Sequence, residues 1–145
     1  MGLSMALFSR MARESTIARR WVVASTSVGF AAALVVWLFA EPFIRFAFSS
    51  RYLGATHLVL PLALAQVIRG TTNVYNTFLG AHARGRELRK ANVMLTASNL
   101  VLNFALIPTY GATGAAWASV VALVVNLAAH VFYYRQAVTE IATAA

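Results

Sequence analysis

Long apolar stretches separated by short charged ones dominate this chain. Residues 21–40 and 55–80 form two such stretches, the second interrupted by Arg69, and an uncharged run extends from Ala91 to Tyr134. A run of about 20 apolar residues is the length of one helical crossing of a bilayer. A straight helix over 91–134 would be about 66 Å long, roughly twice the hydrocarbon thickness of a bilayer. This last run must therefore turn.

The turn is predicted at Pro108–Gly111, because proline ends the preceding helix and Gly111 permits the positive φ that a tight reversal requires. The pattern then predicts an all-α membrane protein, a four-helix transmembrane bundle with crossings at about 21–40, 55–80, 91–108 and 115–134. Past the turn, small residues recur every four positions and let a neighbouring helix approach closely. These residues are Gly114, Ala118 and Ala122.

The charged segments between the apolar stretches predict the topology. Residues 1–20 are expected to form a basic juxtamembrane helix, 82–90 a loop, and 135–145 a tail. The loop carries the densest group of positive residues, which are Arg84, Arg86, Arg89 and Lys90. By the positive-inside rule we expect the loop and both termini on the cytoplasmic side of the plasma (inner) membrane, with 21–134 as the multi-pass domain. Residues 43–54 are too short to cross and are expected at the opposite interface.

The composition agrees with a membrane protein. The chain is 60% hydrophobic with only four acidic residues, more apolar surface than a soluble core of this size can hide. It contains no cysteine, which excludes a disulfide framework and a thiolate metal site. The net charge of +8 would indicate nucleic acid as a partner of a soluble protein. Here the basic residues lie where topology signals belong, so we expect no nucleic-acid partner.

Polar residues within the predicted crossings fall on narrow helical faces. At about 100° per residue, the polar residues of the second crossing share an arc of about 80°, and those of the third an arc of about 60°. Ser119 and two further polar residues share one side of the fourth. The cavity-lining candidates from these stripes are Gln66, Arg69, Asn73, Asn76, Asn99, Asn103, Asn126 and His130.

Each candidate has a functional and a structural interpretation. Arg69 could pair with a phosphate or another acidic group of a ligand, or it could bond to backbone carbonyls or to Asn99 or Asn103. The asparagines could contact the hydroxyl groups of a ligand or make interhelical hydrogen bonds. His130 could take up and release protons or could pack between helices.

The segment from Asn103 to Ala118 has the pattern N-x-x-L-I-P-x-Y-G-A-x-G-A-A-x-A. It resembles the loop between the last two helices of polysaccharide biosynthesis proteins, the oligosaccharide flippases of the multidrug/oligosaccharidyl-lipid/polysaccharide exporter superfamily. Upstream, Phe48, Tyr52 and Ala55 also fit the family, whereas Ser49 stands where its members usually have glycine. The resemblance implies the C-terminal part of a two-lobed transporter.

The implied function is the flipping of a lipid-linked oligosaccharide across the membrane, with no cofactor, no metal and no catalytic residue. The expected partners are membrane lipid, a polyprenyl-linked saccharide, and either a missing N-terminal lobe or a second copy. A drug or cation exporter of the same superfamily and an inactive truncated lobe remain alternatives. Exporters of that kind commonly use a membrane-embedded carboxylate, and the glutamates here lie outside the predicted crossings. An enzyme is not expected, because the histidines are scattered and there is no aspartate.

Overall fold

The computed structural model describes residues 15–48 and 50–144, which form helices and short connections without a strand among them. The elements are α1 (Arg19–Phe48), a 3-10 helix (Ser50–Leu58), α2 (Val59–Ala81) and α3 (Gly85–Ala144). Three of the helices are long and apolar enough to cross a membrane. The chain is thus all-helical with helices of the membrane-spanning kind. The predicted juxtamembrane helix lies mostly outside the described residues, and residues 15–18 precede α1 without helical structure.

Helix α3 is interrupted at Gly111, whose backbone has φ 56° and ψ −135°. The positive φ predicted for this glycine is therefore confirmed. The first arm (residues 85–110) and the second arm (residues 112–144) contact each other at several levels. The amide of Asn126 donates to the carbonyl of Ala91 at 2.9 Å, and Leu95 packs against a cluster that contains Val120 and Leu123. Residues near Gly111 on one arm contact residues near it on the other, and more distant residues contact more distant ones. The two arms therefore run antiparallel.

The reversal also depends on Gly114. A Cβ atom at this position would lie 2.3 Å from the carbonyl oxygen of Leu106, so a larger residue would force the arms apart. Ala118 and Ala122 are fully buried, as the four-residue spacing of small residues predicted.

Helix α2 lies between α1 and α3. On one side its Ala65 belongs to the same buried cluster as Val120 and Leu123 of the second arm. On the other side α1 meets it through small and hydroxylated residues. Ser25 donates to the carbonyl of Gly70 at 3.1 Å, the hydroxyls of Thr26 and Thr71 are 2.9 Å apart, and Gly29 lies against Val67. Such contacts are the usual means of helix association in lipid, where the hydrophobic effect contributes little.

The two ends of the bundle differ in their contacts and charge. One end contains the connection from α2 to α3 with Arg84, Arg86, Arg89 and Lys90, and it is here called the basic end. At this end the backbone N–H of Ile17 donates to the hydroxyl of Tyr134 at 3.1 Å. Ile17 also packs on a buried cluster of Phe78, Leu79 and Ala137. This end therefore joins the start of α1, the α2–α3 connection and the last turns of α3. At the opposite end, here called the turn end, Nε2 of His57 in the 3-10 helix lies 2.9 Å from Oγ1 of Thr113, just past Gly111.

The α2–α3 connection is short. Helix α2 ends in a Schellman motif, in which Ala83 N–H donates to Gly80 and Arg84 N–H donates to Leu79, at 3.2 and 2.9 Å. Ala83 holds the left-handed position of this motif with φ 56°. Helix α3 then begins at Gly85, so most of the loop predicted over 82–90 is helical.

Two helices extend beyond the ends of the predicted crossings. Helix α1 passes through Pro42 and continues to Phe48, with Glu41 and Arg45 paired at 3.0 Å across the proline. Proline interrupts membrane helices less strictly than soluble ones, because the freed backbone groups find other partners. Helix α3 continues through the predicted tail 135–145 as far as Ala144. Its residues Tyr134, Val138 and Ile141 pack on the Phe78 cluster, and that packing extends the helix.

Candidate functional site

Arg69 lies near the middle of α2, about 15 Å from the start of that helix and about 18 Å from its end. Its side chain is exposed, and it forms no hydrogen bond or ion pair with any other described residue. A charged residue at the centre of a membrane-spanning helix costs about 2.5–3.5 kcal/mol on insertion scales. Arg69 therefore requires water, a ligand or another protein surface in front of it.

Arg69 opens on a cavity of about 390 Å³ between α2 and the two arms of α3, here called the Arg69 cavity. Polar side chains reach it from all three segments. Its lining consists of Arg69, Leu95, Thr96, Asn99, Leu100, Asn103, Ser119 and Leu123. The hydroxyls of Thr96 and Ser119 donate to backbone carbonyls one turn earlier, at 3.0 and 3.1 Å, so their oxygens remain available as acceptors.

The two asparagines of this cavity form a pair on the first arm. The amide nitrogen of Asn103 donates to the amide oxygen of Asn99. The amide oxygen of Asn103 is buried and has no hydrogen-bond partner among the described residues. An unsatisfied buried acceptor costs about 1–3 kcal/mol. The cavity thus combines an unpaired cationic donor on α2 with an unpaired acceptor on the first arm.

The other candidates on α2 do not enter this cavity. Gln66 lines a groove of about 560 Å³ between α1 and α2, with Gly29 and Val59 among its other walls. Asn73 lines a second groove of about 560 Å³ on the same seam, beside Trp21. Asn76 is exposed on α2. These residues and Arg69 share one helical arc of α2, as the spacing predicts. One edge of this arc lies along α1 and the other along α3.

Asn126 and His130 are buried residues of the second arm. They are only 3% and 2% exposed. Asn126 makes the interhelical bond to Ala91, and Nδ1 of His130 lies 2.9 Å from the carbonyl of Asn126. For Asn126 this geometry matches the structural interpretation, an amide that joins two helices.

The candidates chosen from the sequence do not include several polar residues that the structure brings into contacts. Thr96 and Ser119 lie in the same stripes as the candidates and line the Arg69 cavity. Ser25 and Thr26 join α1 to α2. The small residues Ser25 and Gly29 stand four positions apart, the same signal that marked Gly114 and Ala118, and it could have identified this seam.

The acidic side chains in the described part of the chain lie near helix ends, each beside an arginine. Glu41 pairs with Arg45, while Glu87 and Glu140 both contact Arg84. The hydrogen bond from Arg84 to Glu140 raises the pKa of this arginine further above its ordinary value, so it remains charged. Among the same residues, no three His, Cys, Asp or Glu side chains are grouped to hold a metal ion.

The Arg69 cavity is therefore suited to a ligand with anionic oxygens and hydroxyl groups. A guanidinium binds phosphate oxygens in a bidentate manner, and an amide oxygen accepts from a hydroxyl. No protein-family model matches the chain, and comparison with curated proteins and with solved structures gave no match.

Proposed function

We propose that this chain is the membrane-spanning part of a transporter that moves a polyprenyl-linked saccharide across the plasma membrane. The observation that carries the proposal is the unpaired guanidinium of Arg69, which opens on a cavity with the unpaired amide oxygen of Asn103. The resemblance of residues 103–118 to the oligosaccharide flippases supports the same function.

In this proposal Arg69 binds a phosphate that links the lipid to its first sugar. A sugar hydroxyl donates to Oδ1 of Asn103, while other hydroxyls donate to the oxygens of Thr96 and Ser119. The hydrocarbon chain stays outside the polar cavity, in the bilayer or along the apolar grooves between α1 and α2. No covalent bond is made or broken, because the site only replaces water around the polar head while it crosses.

In this proposal the chain crosses the membrane four times, and its basic end and both termini lie in the cytoplasm. The two arms of α3 are about 39 and 50 Å long, and each exceeds the thickness of the hydrocarbon core. The exposed polar residues of α2 then face a second lobe or a second copy of the chain across a wet interior. Rocking of the two bodies against each other gives alternating access from the two sides.

A complementation experiment tests this function. A strain that lacks the gene should accumulate lipid-linked saccharide on the cytoplasmic side and lose the surface polysaccharide, and the wild-type gene should restore export. Arg69→Ala and Arg69→Glu should fail to restore it, whereas Arg69→Lys should restore it in part because it keeps the charge but loses the bidentate geometry.

The matched control is Arg45→Ala, which removes an arginine at the turn end and should leave export intact. Full export with both Arg69→Ala and Arg69→Glu would contradict the role of Arg69. Normal lipid-linked saccharide together with altered drug tolerance in the deletion strain would instead identify a drug exporter.

A further inference from the structure

The acidic side chains that the structure describes at the basic end both contact one arginine. Glu87 lies 3.7 Å from Arg84, and Glu140 accepts a hydrogen bond from the same guanidinium. The other described cations of this end are exposed and have no carboxylate partner among the described residues. They are Arg19, Arg20, Arg86, Arg89, Lys90 and Arg135.

These cations belong to one surface, although they come from three segments of the chain. Ile17, which precedes Arg19, packs on the same cluster as Leu88 of the first arm and Ile141 of the second. The hydrogen bond from Ile17 to Tyr134 places the segment before α1 against the last turns of α3. The positive side chains therefore lie at the same end of the bundle.

Aromatic residues mark the level of this surface in the bilayer. The guanidinium of Arg20 lies 5.9 Å from the centre of the Trp21 ring, and the rings of Tyr75 and Tyr134 are 5.4 Å apart. Tryptophan and tyrosine are favoured where the hydrocarbon meets the headgroups. The cations next to these rings are thus at the depth of lipid phosphates.

We propose that these six cations form a binding surface for anionic phospholipid headgroups. Their charge is available because the two described carboxylates of this end contact Arg84 and leave the six unpaired. At the turn end, by contrast, Arg45 is paired with Glu41 at 3.0 Å. The surface consequently selects anionic lipid at one end of the bundle, and this inference stands independently of the transported substrate.

The test measures binding of phosphatidylglycerol and phosphatidylcholine to the purified full chain in neutral detergent, by native mass spectrometry. Phosphatidylglycerol should bind more tightly. The triple variant Arg86→Gln, Arg89→Gln, Lys90→Gln should lower its affinity about 100-fold, since each basic residue near anionic lipid contributes about fivefold. Phosphatidylcholine binding should not change.

Two further variants test how single charges at the two ends affect lipid binding. Arg45→Gln should leave phosphatidylglycerol binding unchanged, because it removes a paired arginine from the other end. Glu140→Gln removes one of the two carboxylates that contact Arg84 and should raise the affinity by up to about fivefold. If the triple variant does not fold, as judged by circular dichroism, the set Arg19→Gln, Arg20→Gln, Arg135→Gln gives the same comparison.

Equal binding of the two lipids by the wild-type chain would overturn the proposal, and so would unchanged phosphatidylglycerol affinity in the folded variants. Displacement of phosphatidylglycerol by an equal concentration of inorganic phosphate would also overturn it. That result would identify a site for free phosphate and not a surface for lipid headgroups.

Discussion

The side-chain amide of Asn126 donates a hydrogen bond to the backbone carbonyl of Ala91, 2.9 Å away and 35 positions earlier in the chain. This bond joins the two arms of α3 far from their turn, in a region where both residues are buried. It identifies one predicted polar residue as a structural contact between helices.

Asn126→Leu should lower the free energy of unfolding by about 0.6–1.7 kcal/mol, the range measured for hydrogen bonds between membrane helices. The substitution keeps the branched shape and the number of side-chain heavy atoms but removes the hydrogen-bond donor. Unfolding of the purified chain in mixed micelles gives the value. Asn76→Leu, the same change at an exposed position, should have little effect, and equal stability of the two variants would argue against this hydrogen bond.

Gly114→Ala should destabilise the chain by about 1–3 kcal/mol, because the new methyl group would lie 2.3 Å from the carbonyl oxygen of Leu106. Thermal unfolding in detergent measures the loss. The control is Gly54→Ala, where the added Cβ would meet no atom within 4 Å. A Gly114→Ala variant as stable as the wild type would mean that the arms are not so close at the turn.

Ala83→Gly should stabilise the chain by about 1 kcal/mol, because Ala83 adopts a left-handed backbone with φ 56° that glycine accepts without strain. The same unfolding measurement applies. Ala81→Gly, within the last turn of α2, should have the opposite sign, since glycine weakens a helix interior. Loss of stability in both variants would contradict the Schellman ending of α2.

Arg69→Ala should raise the stability of the isolated chain, by up to about 3 kcal/mol, while export is lost. The reason is that an unpaired guanidinium near the middle of α2 is unfavourable until it meets a ligand or partner. Unfolding of the purified protein and export in cells are measured on the same variant. A fall in stability would show that Arg69 has a structural partner.

The four proposed crossings can be tested by cysteine labelling, because the chain contains no cysteine. Gly85→Cys at the basic end and Gly54→Cys at the turn end introduce side chains into open space. A membrane-impermeant thiol reagent added to intact cells should label Gly54→Cys and leave Gly85→Cys unlabelled until the membrane is opened. Ala112→Cys should behave like Gly54→Cys. Labelling of Gly85→Cys from outside would reverse the proposed orientation.

The sequence was sufficient to predict the reversal of α3. A long uncharged run cannot cross a bilayer once without a break, and Pro108 with Gly111 is the point where its backbone can turn. The burial of Ala118 and Ala122 followed from their spacing. These features depend on the local backbone and on the size of single side chains, so no knowledge of the neighbouring helices was required.

The positions of the polar candidates could not be predicted in the same way. Gln66, Arg69 and Asn73 share one face of α2, yet they line three different openings because α2 has a neighbour on each side. Which helices are neighbours depends on tertiary packing. The continuation of α3 past Tyr134 was missed for another reason: the spacing of Val138 and Ile141 is helical, but their partners Phe78 and Leu79 are distant in the sequence.

The break at Gly111 also affects how the molecule can move. The arms of α3 are joined through a single non-helical residue, Gly111. They also contact each other close to the turn at Gly114 and farther from it at Asn126. The arms must then travel together as one stiff body. Relative motion of the helices is then expected at the seam between α1 and α2, which Ser25, Thr26 and Gly29 join through small side chains.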